Sequence, residues 1–302
     1  MNDIPFVRTP TAPAGVVETL SPLVRRIVAP NAGPFTFDGT CTYLVGRGSV
    51  AVIDPGPADG GHVDKVLAAL RGERVEAILV THTHLDHSAA AAMLAAETAA
   101  PTYGAGPHRA SRPPHGGETV RLDASADLAF VPATALADGM RVAGAGWTLE
   151  PVATPGHCAN HLAFALPEEQ TLFSGDHVMG WSTTIVAPPD GAMGDYMASL
   201  AKLVGRSERL YLPGHGAPIR APQAFVRALA QHRRMREAAI LARLAAGDDA
   251  IPAIVARVYQ GLDPVLVGAA SLNTLAHLED LVARGIVSAD GEPSLSAHYW
   301  VA

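Results

Sequence analysis

Short apolar runs recur along the first 215 residues, and each is bounded by glycine, proline or aspartate. Runs of this length that are rich in leucine and β-branched residues predict β-strands. Two stretches between them, 62–70 and 88–98, have the apolar spacing of helices. The mixture predicts a strand-rich α/β fold. The predicted strands span residues 49–53, 75–80, 147–152, 161–166, 171–173 and 210–212.

The pattern changes beyond Pro222, where apolar residues recur at helical spacing. Three helices are predicted, and the last of them ends at Gly285. Two short apolar runs flank a turn at 290–293, which predicts a β-hairpin. Three helices followed by a hairpin are typical of a winged-helix-like module. We therefore predict a larger domain over residues 1–235 and a small winged-helix-like domain over residues 236–302.

The composition is that of a globular protein, and it limits the chemistry available. The 302 residues are 48% hydrophobic and 17% charged, with a formal net charge of −7, which excludes disorder as the main state. The two cysteines, Cys41 and Cys158, exclude a disulfide scaffold and a cysteine-rich zinc site. Neither a membrane-spanning run of about 18 apolar residues nor a secretory leader is found, so we expect a cytoplasmic protein with no membrane partner. Thirteen histidines need an explanation.

A dense polar motif follows directly on the predicted strand 75–80. It contains His82, His84, Asp86 and His87 in the pattern His-x-His-x-Asp-His. A turn just past a strand end can direct alternate side chains to one point, and imidazole with carboxylate suits zinc, iron or manganese. The alternative is a polar helix N-terminus with Asp86 as a capping residue.

Three further sites repeat the order of strand, sharp turn and polar residue. His157 follows Pro155-Gly156, Asp176 follows Ser174-Gly175, and His215 follows Pro213-Gly214. Each polar residue lies beyond a predicted buried strand, where a central sheet would collect ligands at one edge. Taken singly, each could be an ordinary exposed turn; together with the first motif they favour a metal site.

This set of residues, in this order, resembles the metallo-β-lactamase superfamily, whose fold is a four-layer αβ/βα sandwich. The resemblance covers residues from about 20 to 220. It implies two divalent metal ions, for which zinc is expected and iron or manganese also fit the ligand types. The implied ligands of the first metal are His82, His84 and His157, those of the second are Asp86, His87 and His215, and Asp176 would bridge the two. Asp54, at the end of strand 49–53, would hold ligands or loop backbone through hydrogen bonds. His161 would do the same or face the substrate, and the alternative is an ordinary hydrogen-bonded histidine of the strand.

Three features distinguish branches of the superfamily: the run 39–46, the sequence Leu212-Pro213-Gly214-His215-Gly216, and the helix that contains His232-Arg233 and Arg236-Glu237. They are most similar to the branch that contains the animal beta-lactamase-like protein two, which also has a C-terminal winged-helix-like domain. True β-lactamases of this fold lack a bridging aspartate at the place of Asp176. Glyoxalase II-like thioesterases usually have cysteine where this chain has Pro213. Two departures from the similar branch are Cys41, where asparagine is common, and Cys158, where threonine is common.

The resemblance implies a hydrolase. Water between two metals that share Asp176 is expected to lose a proton near neutral pH, which makes hydroxide the expected nucleophile and Asp86 the residue that orients it and accepts its proton. A small ester, thioester or lactone is the expected substrate. The alternative is cleavage of single-stranded RNA; an iron-dependent oxidoreductase ranks last because such relatives typically have glutamate in place of His84.

The remaining features give weaker expectations. Residues 241–302 contain three arginines and seven acidic residues, which disfavours RNA as a partner of the C-terminal domain. We expect that domain to pack beside the opening of the predicted metal site or to mediate a homodimer. Residues 104–117 are predicted to form a surface loop, and no role is assigned to its His108. His62 is predicted to lie at the surface or at a domain interface.

Overall fold

Two β-sheets form the centre of the larger domain in the computed structural model, which describes residues 4–10, 12–115 and 125–302. The first sheet has seven strands in the order β1 to β7, antiparallel from β1 to β4 and parallel from β4 to β7. The second has five strands in the order β12-β11-β10-β9-β8, of which only β11 and β12 are parallel. The strands are β1 Val17–Thr19, β2 Val24–Val28, β3 Cys41–Arg47, β4 Ser49–Ile53, β5 Arg74–Leu79, β6 Thr102–Gly104, β7 Thr134–Ala135, β8 Val142–Gly144, β9 Trp147–Ala153, β10 Leu162–Leu166, β11 Thr171–Gly175 and β12 Leu210–Pro213.

The buried side chains of the strands belong to separate hydrophobic cores on the two faces of each sheet. Along β4, Ala51 and Ile53 face the core between the sheets, whereas Val50 and Val52 face the helices α1 (Gly60–Ala69) and α3 (Ala91–Thr98). The second sheet packs its opposite face against α4 (Met193–Val204) and the first half of α5 (Pro222–Ala245). Because side chains alternate across a strand, each sheet is covered on both faces. The result is the predicted four-layer αβ/βα sandwich.

The two sheets meet along the edge where several predicted ligands follow strand ends. The amide of Asp54, after β4, donates to the carbonyl of Leu79 at the end of β5. The carbonyl of Thr81 accepts from the amide of Leu162, the first residue of β10 in the other sheet. The loop after β12 is joined to the loop after β11 by a bond from the amide of Gly214 to the carbonyl of Gly175. Backbone hydrogen bonds therefore hold together the loops of both sheets that carry the predicted ligands.

The predicted helix over residues 88–98 starts too early, because Ser88 is the last residue of a separate short helix, and this bound of the prediction is wrong. α2 spans Leu85–Ser88 and α3 begins at Ala91. The break arises because the backbone of Gly56, in the loop after β4, bonds to the helix: its amide donates to the carbonyl of His87 and its carbonyl accepts from the amide of Ala90. The intervening turn is therefore hydrogen-bonded to the loop after β4 and does not continue the helical hydrogen bonds.

His62 was expected at the surface or an interface, and this expectation is also wrong. The residue lies in the first turn of α1 and is fully buried, with its Nε2 atom 2.9 Å from Oγ1 of Thr42. α1 begins at Gly60 and the Asp59 carboxylate caps it by accepting from the amide of His62. The ring therefore points under the loop that follows β4.

The C-terminal module contains α6 (Ile251–Val258), α7 (Val267–Ala283) and the antiparallel pair β13 (Val287–Ala289) and β14 (Tyr299–Val301). α5 belongs to both parts of the chain. Its Phe225 and Leu229 pack on the second sheet, whereas its Ile240 and Leu244 pack in the core of the module. Residue 235 lies within this helix, between the two contacts, and the boundary there stays a prediction. In the described part of the chain, no helix has the length and apolarity needed to span a membrane.

Candidate metal centre

Three imidazoles converge beyond the ends of β5 and β9. Nδ1 of His84 lies 3.1 Å from Nε2 of His82 and 3.1 Å from Nε2 of His157. Two nitrogens that share a tetrahedral zinc at about 2.1 Å are roughly 3.4 Å apart. The spacing of these three donors therefore matches one face of a metal coordination shell.

A second group of three donors lies beside the first, with nearly equal edges. Oδ2 of Asp86 is 3.4 Å from Nε2 of His87 and 3.3 Å from Nε2 of His215, and the two nitrogens are 3.3 Å apart. Again the edges match a tetrahedral face. Asp86 and His87, which are adjacent in the sequence, thus lie next to His215 from the far end of the domain.

Asp176 lies between the two groups. Its Oδ1 is 3.5 Å from Nε2 of His87, and its Oδ2 is 3.3 Å from Nε2 of His215 and 3.9 Å from Nε2 of His157. Gly175, which precedes it, has φ +51°, and a Cβ there would lie 2.5 Å from the ring of His161. Only glycine fits this close approach without displacement, so the turn after β11 fixes where Asp176 points.

Each of the five histidines directs its outer nitrogen to an oxygen of the protein that can accept its N–H, which fixes the ring and turns the other nitrogen inward. The inner nitrogens nevertheless face one another at 3.1–3.3 Å. Lone pairs converge in this way around a cation, so the donor set fits two divalent metal ions. The outer partners are Thr81 Oγ1 for His82, Asp190 Oδ2 for His84, Asp54 Oδ2 for His87, the carbonyl of Ile185 for His157 and the carbonyl of Gly39 for His215.

Asp54 links one histidine of each group. The carboxylate is 2% exposed and accepts three bonds: from the amide of Thr81 at 2.7 Å, from its hydroxyl at 2.8 Å and from Nδ1 of His87 at 2.9 Å. Because the Thr81 hydroxyl donates to Asp54, its oxygen is free to accept from Nδ1 of His82 at 3.0 Å. Asp54 therefore orients His87 directly and His82 through Thr81.

His161 supports the backbone of Asp176 and is not placed among the converging donors. Its Nε2 accepts from the backbone amide of Asp176 at 3.2 Å, so the ring proton lies on Nδ1, which is 2.8 Å from the hydroxyl of Thr154. Of the three predicted alternatives for His161, the geometry favours the one in which it supports a candidate ligand, since the residue precedes β10 and bonds to the backbone of Asp176.

Charges alternate in sign around the second group. Burial disfavours charge on all of these residues, yet His87 and His215 hold the pKa values of Asp86 and Asp176 well below their usual range. Burial likewise opposes protonation of His87 and His215, but the two carboxylates raise their pKa values well above the usual range. At His157 burial and the neighbouring His84 lower the pKa to about 4. In the metal-free chain, protons therefore take the place of positive charge that a metal would supply.

Two polar residues that the sequence analysis did not identify also orient ligands. The hydroxyl of Thr40 donates to Oδ2 of Asp86 at 3.0 Å. The carboxylate of Asp190 accepts from His84 at 3.2 Å and from the thiol of Cys158 at 3.5 Å, and it lies 3.5 Å from Nε2 of His108. His108, to which no role was assigned, is thus part of the surroundings of the site. The loop predicted over 104–117 starts within β6, whose last residue is Gly104, and is irregular from residue 105 to 115; residues 116 and 117 lie outside the described residues.

Comparison with known protein families agrees with this arrangement. Residues 35–215 match the model of the metallo-beta-lactamase superfamily, and residues 250–297 match the beta-lactamase associated winged helix domain. The chain is 30% identical over 294 residues to the beta-lactamase-like protein 2 homolog of Caenorhabditis elegans, which covers 94% of this chain and 92% of the relative. It is 31% identical over 234 residues to an atrochrysone carboxyl ACP thioesterase of Aspergillus fumigatus, covering 76% of this chain and 67% of the relative.

Solved structures have the same fold over nearly the full length. A metallo-beta-lactamase family protein from Thermus thermophilus superposes with a TM-score of 0.76 at 25% identity, covering 94% of this chain and 100% of that one. A beta-lactamase domain protein from Burkholderia ambifaria gives a TM-score of 0.79 at 23% identity, covering 98% and 97%. Both sandwich and winged helix are therefore shared.

Proposed function

Since the chain belongs to the metallo-β-lactamase superfamily, we propose that it is a dinuclear metal hydrolase that cleaves thioesters, with small esters and lactones as related substrates. The observation on which this rests is the pair of three-donor groups on either side of Asp176. His82, His84 and His157 would hold one metal, Asp86, His87 and His215 the other, and Asp176 both. Imidazole and carboxylate suit zinc, with iron and manganese as alternatives. When bound, the ions would supply a nucleophilic water at neutral pH and polarise the substrate carbonyl.

Asp86 is the proposed proton acceptor of the reaction. Its side chain is 26% exposed, so substrate and solvent reach it, whereas the imidazoles of His87 and His215 beside it are almost fully buried. The bond from Thr40 holds Oδ2 toward those imidazoles, which leaves the second oxygen to accept a hydrogen bond from the attacking water. The low pKa of Asp86 keeps it ionised and ready to accept.

The hydrogen bonds of the site favour a thiol as the leaving group over an amine. A departing amine needs a proton, and only Asp86 could return one, because each imidazole of the two groups already directs its outer N–H to a protein oxygen. A thiol with a pKa of about 8.5 can leave as the thiolate near neutral pH. Thioester cleavage therefore requires the least protonation of the leaving group by the described residues.

The surroundings of His215 suit an acyl group. The rings of Phe37 and Trp181 are stacked at 5.0 Å, and Trp181 lies against Gly216, the residue after His215. Such an aromatic wall next to a ligand can pack against the apolar part of an acyl chain. The similarity to ACP thioesterases supports the same substrate class.

A hydrolysis panel tests the proposal. The metal-loaded chain is offered acyl thioesters, lactones and labelled single-stranded RNA, and we expect thioester cleavage that falls at least about 10²-fold in Asp86→Ala. Asp64→Ala, which removes an exposed carboxylate of α1, is the matched control and should retain activity.

RNA cleavage that disappears in Asp86→Ala, without thioester cleavage, would replace the proposed function with the ribonuclease alternative. The acidic balance of residues 241–302, three arginines against seven acidic residues, disfavours that outcome. A wild-type chain that binds metal and cleaves nothing in the panel would also contradict the proposal.

A further inference from the structure

The C-terminal module contacts a segment that lies directly behind the first group of ligands. Oδ1 of Asn273, on α7, accepts from the backbone amide of Val186 at 3.0 Å and from Nη1 of Arg233 at 3.2 Å. Arg233, on α5, is 3% exposed and its other terminal nitrogen donates to the carbonyl of Thr184. Two helices therefore hold residues 184–186 by the backbone, one bond on each side of Ile185.

Residues 184–186 in turn hold two of the proposed ligands. The carbonyl of Ile185 accepts from Nδ1 of His157 at 2.7 Å. The hydroxyl of Thr184 donates to the backbone carbonyl of Asp176 at 2.7 Å. Displacing the segment would therefore misdirect a ligand of the first metal and shift the backbone of the bridging residue.

The helix α7 also supports the backbone at Pro189 and Asp190, which follow residues 184–186 in the chain. Glu279 lies on α7, about one and a half helical turns beyond Asn273. It pairs with Arg112, and Nε of Arg112 is 3.1 Å from Oε1 of Glu279. The neighbouring Ser111 donates its amide to the carbonyl of Pro189 and its hydroxyl to the carbonyl of Asp190, both at 2.8 Å. Asp190 is the acceptor for His84. α7 thus reaches the outer partners of both His157 and His84.

The ligands of the second group depend on a different part of the chain. His87 donates to Asp54 and His215 donates to the carbonyl of Gly39, both within the first sheet and its loops. Asp86 accepts from Thr40 in the same region. Among the described contacts, the bonds of α7 therefore lead to His157 and His84. Thr184, whose hydroxyl bonds to the backbone of Asp176, is held by Arg233 on α5.

We propose that the C-terminal module positions the first metal site, and that Asn273 is a positioning residue whose loss weakens metal binding at His82, His84 and His157 but not at Asp86, His87 and His215. The inference rests on the proposed dinuclear site. Removing the partner of a metal ligand typically weakens metal binding 10–100-fold. Asn273 acts one bond further out, so we expect about tenfold, the lower end of that range.

The test compares three substitutions in the full-length chain. Asn273→Leu keeps the size and removes the acceptor, whereas Asn273→Asp keeps an acceptor oxygen and should restore binding. Thr274→Val is the matched control, because Thr274 is buried on the same helix and its hydroxyl bonds only within that helix among the described contacts. Titration with Co²⁺ against a chelator gives the two affinities, and the ligand-field spectrum reports each site.

The expected result is that Asn273→Leu weakens one of the two bound equivalents about tenfold while Asn273→Asp and Thr274→Val stay near the wild type. Wild-type affinity at both sites in Asn273→Leu would overturn the inference. Equal weakening of both sites, with the same loss of thermal stability in Thr274→Val, would also overturn it, because the effect would then be general unfolding. A wild-type chain that binds no Co²⁺ would instead refute the proposed metal centre itself.

Discussion

Asp54→Asn separates metal-site geometry from fold stability. Asp54 has φ +51°, a left-handed conformation that asparagine tolerates, so the backbone needs no adjustment. The amide oxygen can still accept from the backbone amide of Thr81. The amide NH₂ group, however, now faces the Thr81 hydroxyl and Nδ1 of His87, both of which donate to Asp54 in the wild type.

The expected consequence is a change of tautomer at His87. A ring whose Nδ1 faces a donor must carry its proton on Nε2, the atom that lies 3.4 Å from Asp86 and 3.3 Å from His215. A metal would have to displace that proton. Loss of such an outer partner weakens metal binding 10–100-fold, which corresponds to about 1.4–2.7 kcal/mol. The free energy of unfolding of the metal-free chain should fall by only about 1–2 kcal/mol, because a charged acceptor is replaced by a neutral one.

Competition against a chelator measures the metal affinity, and denaturant unfolding of the metal-free chain measures the stability. Asp64→Asn, on the exposed face of α1, is the control for the loss of one negative charge. If Asp54→Asn binds both metals with wild-type affinity, the hydrogen-bonded histidine does not depend on Asp54 and the reasoning is refuted. A loss of affinity that disappears once the fraction of folded protein is taken into account would mean that Asp54 acts only on the fold.

Three further predictions concern the same site. Gly175→Ala should destabilise the chain more than Gly72→Ala, since both have positive φ but only the Cβ at Gly175 meets His161; equal unfolding free energies would contradict this. Because the pKa values of His87 and His215 are raised in the metal-free chain, metal binding should release protons and its apparent affinity should increase with pH, as calorimetry in buffers of different ionisation enthalpy can verify. Chelation should lower the melting temperature, because metal at a hundredfold excess over its dissociation constant adds about 2.7 kcal/mol to stability; an unchanged melting curve would speak against a bound metal.

The main residues of the candidate site could be predicted because each follows a strand in the sequence. Parallel strands align their carboxyl ends, so a local pattern of strand, turn and polar residue fixes a shared edge without knowledge of the fold. The pair β11 and β12 illustrates this, since Gly175 lies opposite Pro213 and their loops supply Asp176 and His215. The winged-helix-like module was predicted for a similar reason, from its helical spacing and terminal hairpin.

The partners that orient the ligands could not be predicted in the same way. Two of these partners are the backbone carbonyls of Gly39 and Ile185. Every residue has a backbone carbonyl, so the residue type does not indicate which one accepts a bond from a ligand. Asp190 lies 106 residues from His84 in a proline- and glycine-rich loop, where the sequence indicates only an ordinary turn. The burial of His62 likewise depends on the direction of α1 relative to the loop after β4. These contacts are set by tertiary packing, which local pattern does not encode.

The number of metal ions held by the purified chain tests the central claim most directly. Elemental analysis of metal-replete, extensively dialysed protein should give two divalent ions per chain, and anomalous scattering from crystals should place them on either side of Asp176. His84→Ala should lose the ion of the first group. Fewer than one ion per chain, or a content unchanged in His84→Ala, would contradict the account.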